Sequence, residues 1–453
     1  MAKIAQRHLF DWRQVEAAGD LDRLRLVLSA MPDEEFVSLL ERRRGHGRDD
    51  YPIRPTWNAL LSGIVLQHKS AASLLREMWR NAELRELCGF DPAGGAAAIP
   101  SADAFGRFLE LVMDHRDGLL GIFDRLVDEL AQVLPDLGRK LAVDSKGIRS
   151  HGRPVRDVEK QKEDDRRRDT DADWGTKTYR GTHKDGTAWE KVFRWFGYKI
   201  HMVVDTVYEM PLGFRVTKAS KNDCPELLPL IETLREKHPA VYDRSDELAA
   251  DKAYDSIENL RDLHEDHHIK PVIDTRQLWQ GEPTRTLFPN RADSFAYNEK
   301  GQVLCVCPAT GEMRPMFFAG FESDRGTLKY RCPAAAWGVD CRGRKDCERR
   351  ASVGAFGRVI RVPLDFDRRI FTPIARSTPK WERAYDRRTA VERVNSRIDQ
   401  VLGFEEHFIR GLAKMETRLT LALIVMLAMA LGRIRADQQD LMRSLTAPVR
   451  RAA

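Results

Sequence analysis

After Lys140 the order of apolar runs restricts the fold more than any other feature of the chain. KLAVDSKGI, GYKIHMVVDTVYEM and PLGFRVTKAS read as three strands. PELLPLIETLREKH then reads as a helix, DELAADKAY as a strand, SIENLRDLHEDH as a helix and IKPVIDT as a strand. The order β-β-β-α-β-α-β predicts three antiparallel strands followed by parallel ones, in a layer covered by helices. In that arrangement the first and fourth strands lie side by side. Asp144 at the end of the first and Asp251 at the end of the fourth would then be neighbours, although an Asp after a strand is commonly only a turn or cap residue.

This element order fits a ribonuclease-H-like core with a mixed five-stranded sheet. A third acid, Glu392, lies in the helical stretch YDRRTAVERVNSRIDQVLGF. At about 100° per residue, Tyr385, Arg388, Glu392 and Asp399 fall within about a 60° arc of one continuous helix. An aromatic ring, a guanidinium and carboxylates on one face suit a site for divalent cations and phosphate. The plain alternative is an i, i+4 surface pair of Arg388 and Glu392.

The 453-residue chain has room for several domains, and its boundaries are expected at 1–137, 138–278, 279–366 and 367–453. Residues 20–135 carry apolar residues at spacings of three and four, as an all-helical domain does, with a helix start at Ser101 and Asp103. DPAGGAAAIP reads as a loop between helices. Such a domain serves DNA binding or dimerisation.

From residue 151 to 192 the sequence is polar and mixed in charge, and reads as a long surface loop. Its Trp174, Lys177, Tyr179 and Arg180 are candidates for stacking on and contacting a nucleic-acid backbone. Asp251 and Glu392 stand 392 − 251 = 141 residues apart, so an insertion must lie between them. It is turn-rich with short strands and carries Cys305, Cys307, Cys332, Cys341 and Cys347. Cys307, Cys332, Cys341 and Cys347 are the preferred four ligands for a structural Zn2+, with Cys305 the alternative to Cys307; reduced cysteines without metal are the competing reading. His264, His267 and His268 read as exposed residues at a helix end rather than as ligands.

A net charge of +6 permits a polyanionic partner without requiring one. MAKIAQRHLFDWRQVEAAGD has no apolar core of the secretory type. The longest apolar run, residues 419–432, falls short of the roughly 20 residues that span a bilayer. A buried helix, a cytoplasmic location and reduced or metal-bound cysteines are therefore expected. The sequence holds no Gly-rich nucleotide-binding loop, so neither ATP nor NAD is expected.

LAVDSKGIRSHG, GYKIHMVVDTVYEMPLGFRVTKASKND, LAADKAYDS and YDRRTAVERVNSRIDQVLGFEEHFIRGL, in that order, resemble the DDE transposases of bacterial insertion sequences. The resemblance implies a catalytic triad of Asp144, Asp251 and Glu392 holding Mg2+ or Mn2+. It also matches the family's tyrosine-arginine-glutamate-lysine signature at Tyr385, Arg388 and Glu392, but Asp399 stands where the lysine is expected. It further implies an enzyme, nucleoid-associated when acting and dimeric on DNA, that binds terminal inverted repeats, cuts the strand and joins its 3′ end to target DNA. The rival expectations are a metal-dependent nuclease without strand transfer and a catalytically silent DNA-binding derivative.

Overall fold

The computed structural model describes residues 19–45, 51–154, 169–183, 185–289, 295–307, 309–338, 341–350 and 356–450. The N-terminal part is helical: α1 (Asp20–Ala30), α2 (Glu34–Arg44), α3 (Ile53–Val65), α4 (Ala71–Arg80), α5 (Ala82–Cys88), α6 (Ala102–Asp114) and α7 (Arg116–Val133). Ser101 caps α6 as expected, its hydroxyl accepting the Ala104 N–H at 3.2 Å.

One sheet follows, built from β1 (Lys140–Arg149), β2 (Asp173–Thr182), β3 (Ala188–Asp205), β4 (Pro211–Lys218), β5 (Glu247–Ala250) and β6 (Lys270–Ile273). Residues 198–204 of β3 are central, paired antiparallel with both β1 and β4. On its far side β1 runs parallel to β5, and β5 parallel to β6. Helices α8 (Leu227–Lys237) and α9 (Pro239–Tyr242) separate β4 from β5, and α10 (Ile257–Glu265) separates β5 from β6. The ribonuclease-H-like order is therefore present.

The sheet has six strands rather than five. The sixth, β2, comes from the segment expected to be a surface loop. It pairs with residues 188–197 of β3 across ten register positions, from Asp173↔Gly197 to Thr182↔Ala188. The strand-forming signal was hidden by polar composition: Trp174, Thr176, Thr178 and Tyr179 have strand propensity, but the charges around them mask the alternation. Residues 155–168 of that segment lie outside the described residues.

Between the sheet and the Glu392 region, the insertion forms β7 (Thr284–Leu287), β8 (Phe295–Asn298), β9 (Val303–Val306) and β10 (Met313–Pro315) in one sheet. A second sheet contains β11 (Phe317–Glu322), β12 (Thr327–Arg331) and β13 (Val359–Pro363), with α11 (Pro333–Trp337) and α12 (Arg344–Arg350) between the last two strands. The insertion has its own core, centred on Phe295, Tyr297, Leu328, Tyr330 and Phe371.

The chain then returns through α13 (Pro379–Asp386), α14 (Thr389–Val401) and α15 (Leu412–Arg435). The run 419–432 lies in α15, a helix long and apolar enough to cross a membrane, yet its side chains are mostly buried within the protein. α15 packs against α1, α3, α7 and β4, so the N-terminal helices and the six-stranded sheet share one continuous core. Gly432 permits the closest approach: a Cβ there would stand 2.8 Å from the Leu26 carbonyl oxygen.

The insertion is fastened to the sheet by Arg369. Its guanidinium contacts the fully buried Asp255 at 2.9 Å and Glu299 of the insertion at 3.2 Å, and donates to the Arg276 carbonyl. Arg369→Ala takes the guanidinium from the buried Asp255 carboxylate, which keeps the Arg276 N–H at 2.8 Å, and is expected to lower unfolding stability by about 3 kcal/mol, the lower end for removing one partner of a buried pair. Urea denaturation measures this, and an unchanged midpoint would show that water replaces the guanidinium.

Candidate active site

Val143↔Ala250 is the last register pair of the parallel β1–β5 ladder, and Asp144 and Asp251 follow it directly. The two carboxylates thus stand side by side where the ladder ends, as the element order predicts, although β1 continues past Asp144 to Arg149 rather than ending there. The Asp251 carboxylate accepts the Ala253 N–H at 2.8 Å and caps the 3-10 turn Lys252–Tyr254, which turns the chain away from the sheet. Asp144 accepts the Ser145 N–H at 2.7 Å. Burial, with the neighbouring Asp251 charge, pushes the Asp144 carboxyl up to about 6; Lys177, the Ser145 amide and Arg388 oppose the rise.

Glu392 lies in the first turn of α14 with a half-exposed side chain. It joins Asp144 through Arg388, whose Nη1 is 2.9 Å from Glu392 Oε1 and 3.5 Å from Asp144 Oδ2. The guanidinium lies between the Asp144 and Glu392 carboxylates. In this conformation, among the described residues, no three His, Cys, Asp or Glu side chains form a group able to hold a metal ion.

The expected single helix is broken. α13 ends at Asp386 and α14 begins at Thr389, with i to i+3 bonds from Arg388 N–H to the Tyr385 carbonyl and from Ala390 N–H to the Arg387 carbonyl. Tighter winding here invalidates a uniform 100° wheel between Tyr385 and Glu392. The cluster nonetheless assembles: Arg388 lies over the Tyr385 ring at 5.8 Å, and that ring stacks on Trp381 at 4.8 Å. Trp381 was missed, although its i, i+4 spacing to Tyr385 was a usable signal.

Of the β2 candidates, Lys177 reaches the site, with Nζ 3.3 Å from the Ser145 carbonyl oxygen. Trp174 is exposed and packs edge-on against Phe196 at 5.9 Å. The side chains of Tyr179 and Arg180 lie outside the described residues, although their backbone is strand.

Asp399 pairs with Lys146 of β1, which also meets Glu405 at 2.8 Å. Lys146 was missed despite standing two residues after Asp144, which places it on the same face of the strand. Beneath the site lies a polar group that the sequence did not reveal. Lys199 Nζ is 2.9 Å from Asp223 Oδ1, and the buried His201 contacts Thr217 Oγ1 at 3.0 Å. Burial pushes His201 down to about 4, which leaves it neutral at ordinary pH. Tyr254 is buried nearby; its phenol is held protonated by burial and by the charges of Asp144, Asp223 and Asp251.

All five insertion cysteines line one cavity of about 560 Å3. Of the three histidines, His268 is exposed, but His267 is buried and bonded to the Tyr242 hydroxyl at 2.9 Å, contrary to expectation. The turn after α10 folds His267 back onto α9, which helical spacing alone does not reveal.

The transposase DDE domain model matches residues 135–428, well over half of the chain. The chain belongs to the transposase DDE domain family. It is a transposase, an enzyme that cuts and transfers DNA strands. A cryo-EM structure of the piggyBac transposase synaptic complex with hairpin DNA is similar over 96% of this chain and 80% of that chain, at 12% identity and a TM-score of 0.35. That likeness adds nothing to the family assignment. No curated protein gives a significant match.

The raised pKa of Asp144 in this transposase has a consequence for stability. The folded state holds that proton more tightly than the unfolded chain does. The resulting stabilisation is complete below the ordinary carboxylate pKa and is lost as pH rises through about 6. Asp144→Asn should therefore stabilise the metal-free protein relative to wild type at pH near 8, by roughly 1–3 kcal/mol, and have little effect near pH 4. Thermal unfolding at both pH values measures the difference. Equal stabilities near pH 8 would show that burial and Asp251 do not strain this carboxylate.

Proposed function

We propose that Asp144, Asp251 and Glu392 are the catalytic triad for cleavage of element ends and transfer of the 3′ strand to target DNA. The observation that carries this reading is the placement of Asp144 and Asp251 side by side at the end of the parallel β1–β5 ladder. α14 presents Glu392 across Arg388. Three carboxylates are hard oxygen donors suited to Mg2+ or Mn2+, and a partly buried pair of like charges is an environment that favours a cation. Two such ions, when bound, supply stabilisation of the attacking and leaving oxygens of a phosphodiester.

The side chains divide the remaining work. Asp144 and Asp251 hold the charge at the strand ends. Glu392 completes the set once it leaves Arg388, and Arg388 then offers its planar fork to a phosphate. Trp381 and Tyr385 fix the position from which that arginine moves. Lys177 adds positive charge from β2. The partner is double-stranded DNA, as terminal inverted repeats and as target; holding two ends together calls for at least a dimer on DNA. Insertion-sequence origin and action at a bacterial nucleoid belong to the same proposal.

Purified protein with Mn2+ should nick DNA carrying its terminal repeats and join the ends to a target plasmid. Glu392→Gln should reduce both steps by at least about 10³-fold, as expected for loss of a group acting in the transition state, with DNA binding retained. Cleavage without joining would favour a nuclease, binding without either would favour a silent derivative, and cleavage by the variant would remove Glu392 from the triad.

We infer that the cysteine-lined cavity takes a structural Zn2+, with Cys307, Cys332, Cys341 and Cys347 as ligands after a local adjustment. The Thr310 hydroxyl and backbone amides lower the Cys307 pKa, favouring the thiolate that binds zinc. Cys305 is less suited, because burial pushes its thiol up to about 11 even with Arg358 Nη1 3.6 Å away. Elemental analysis should find about one zinc per chain, lost in Cys332→Ser and retained in Cys305→Ser. Retention in both variants would point to a different ligand set, and a zinc-free wild type would leave reduced cysteines.

A further inference from the structure

An open groove of about 530 Å3 runs beside Glu392, between β1, β2, β3 and α14. Lys146 and Lys177 enter it from the strands, Asn395 and Gln400 from the helix, and the Phe193–Trp195 pair forms its far wall. Ammonium groups, amide donors and an aromatic wall suit a sugar-phosphate strand. Asp399 also lines the groove, and a bare carboxylate there would repel phosphate.

The structure shows what covers that carboxylate. Asp399 pairs with Lys146, and Glu405 holds the same ammonium at 2.8 Å. An ammonium has three donors, and two carboxylate partners leave one for a further acceptor. Both Lys146 and Asp399 are largely buried, with side-chain exposures of 16% and 19%, so the ammonium is fixed in place rather than waving in solvent. Seven residues, close to two helical turns, separate Glu392 from Asp399, which therefore lie near the same edge of α14.

We propose that Lys146, held by Asp399 and Glu405, contacts a backbone phosphate of the cleaved strand in this groove. Phe193, exposed and stacked on Trp195 at 5.9 Å, supplies a surface for the adjoining sugar or base. This inference rests on the DNA-cleaving reading of the triad and adds a strand-positioning residue to it.

The test uses full-length protein and a fluorescent short duplex ending in a 3′-hydroxyl, titrated by anisotropy over a range of KCl concentrations. Lys146→Met should weaken binding roughly tenfold, as loss of a charge-assisted bond does. It should also reduce the slope of log affinity against log salt by about 0.9, the signature of one lost phosphate contact. The double variant Lys146→Met with Asp399→Lys removes the ion pair but returns an ammonium to the groove from α14. It should recover both affinity and slope, which a purely structural brace would not. Wild-type affinity and slope in Lys146→Met, or no recovery in the double variant, overturns the proposal. Nicking of supercoiled plasmid by wild type with Mn2+ tests the underlying reading separately. Nicking with an unaffected Lys146→Met sinks only the lysine assignment, whereas neither nicking nor binding by wild type sinks both.

Discussion

The parallel ladder between β1 and β5 brings two carboxylates side by side where it ends, and much of the surrounding structure answers that constraint. Like charges in a partly buried place are unfavourable unless cations approach them. Arg388 from the junction of α13 and α14 and Lys177 from β2 both act on Asp144, arriving from elements far apart in sequence. Tyr254 fills the interior beneath with a group that carries no charge of its own. Arg388 and Lys177 thus offset the Asp144 charge in this conformation.

The element order was legible because the strands after Lys140 are short apolar runs separated by two amphipathic helices, and such runs admit few topologies. The same reasoning placed Asp144 beside Asp251. It failed on β2, where strand pairing depends on the long β3 partner rather than on a buried face, so no alternation marks it. It failed again on the two-helix break at Arg387–Arg388, because nothing in YDRRTAVE is a helix breaker. The tertiary contacts of Tyr385 and Arg388 set the local winding.

The Lys146–Asp399 pair shows a different limit. Each residue looked unremarkable or unfavourable when read along its own element. Asp399 appeared as a negative charge where a positive one was expected, and Lys146 as one more lysine in a strand. Sequence periodicity reports which residues share a face of one element, but not which faces meet. Once α14 lies over β1, Lys146 offsets the charge of Asp399, and its ammonium lines the groove from the strand side.

The insertion raises the question of why an independently cored unit separates the sheet from the helix that carries Glu392. Its attachment gives a physical answer. Arg369 contacts Asp255, four residues beyond Asp251, as well as Glu299 within the insertion. Arg376 is buried nearby and donates to carbonyls of Ile273, Arg369 and Ile370, tying the end of β6 to the exit from the insertion. These bonds restrain the turn that carries Asp251 and the segment that leads into α13. The geometry between Asp251 and Glu392 is thereby set through a rigid bridge rather than through a long, entropically costly loop.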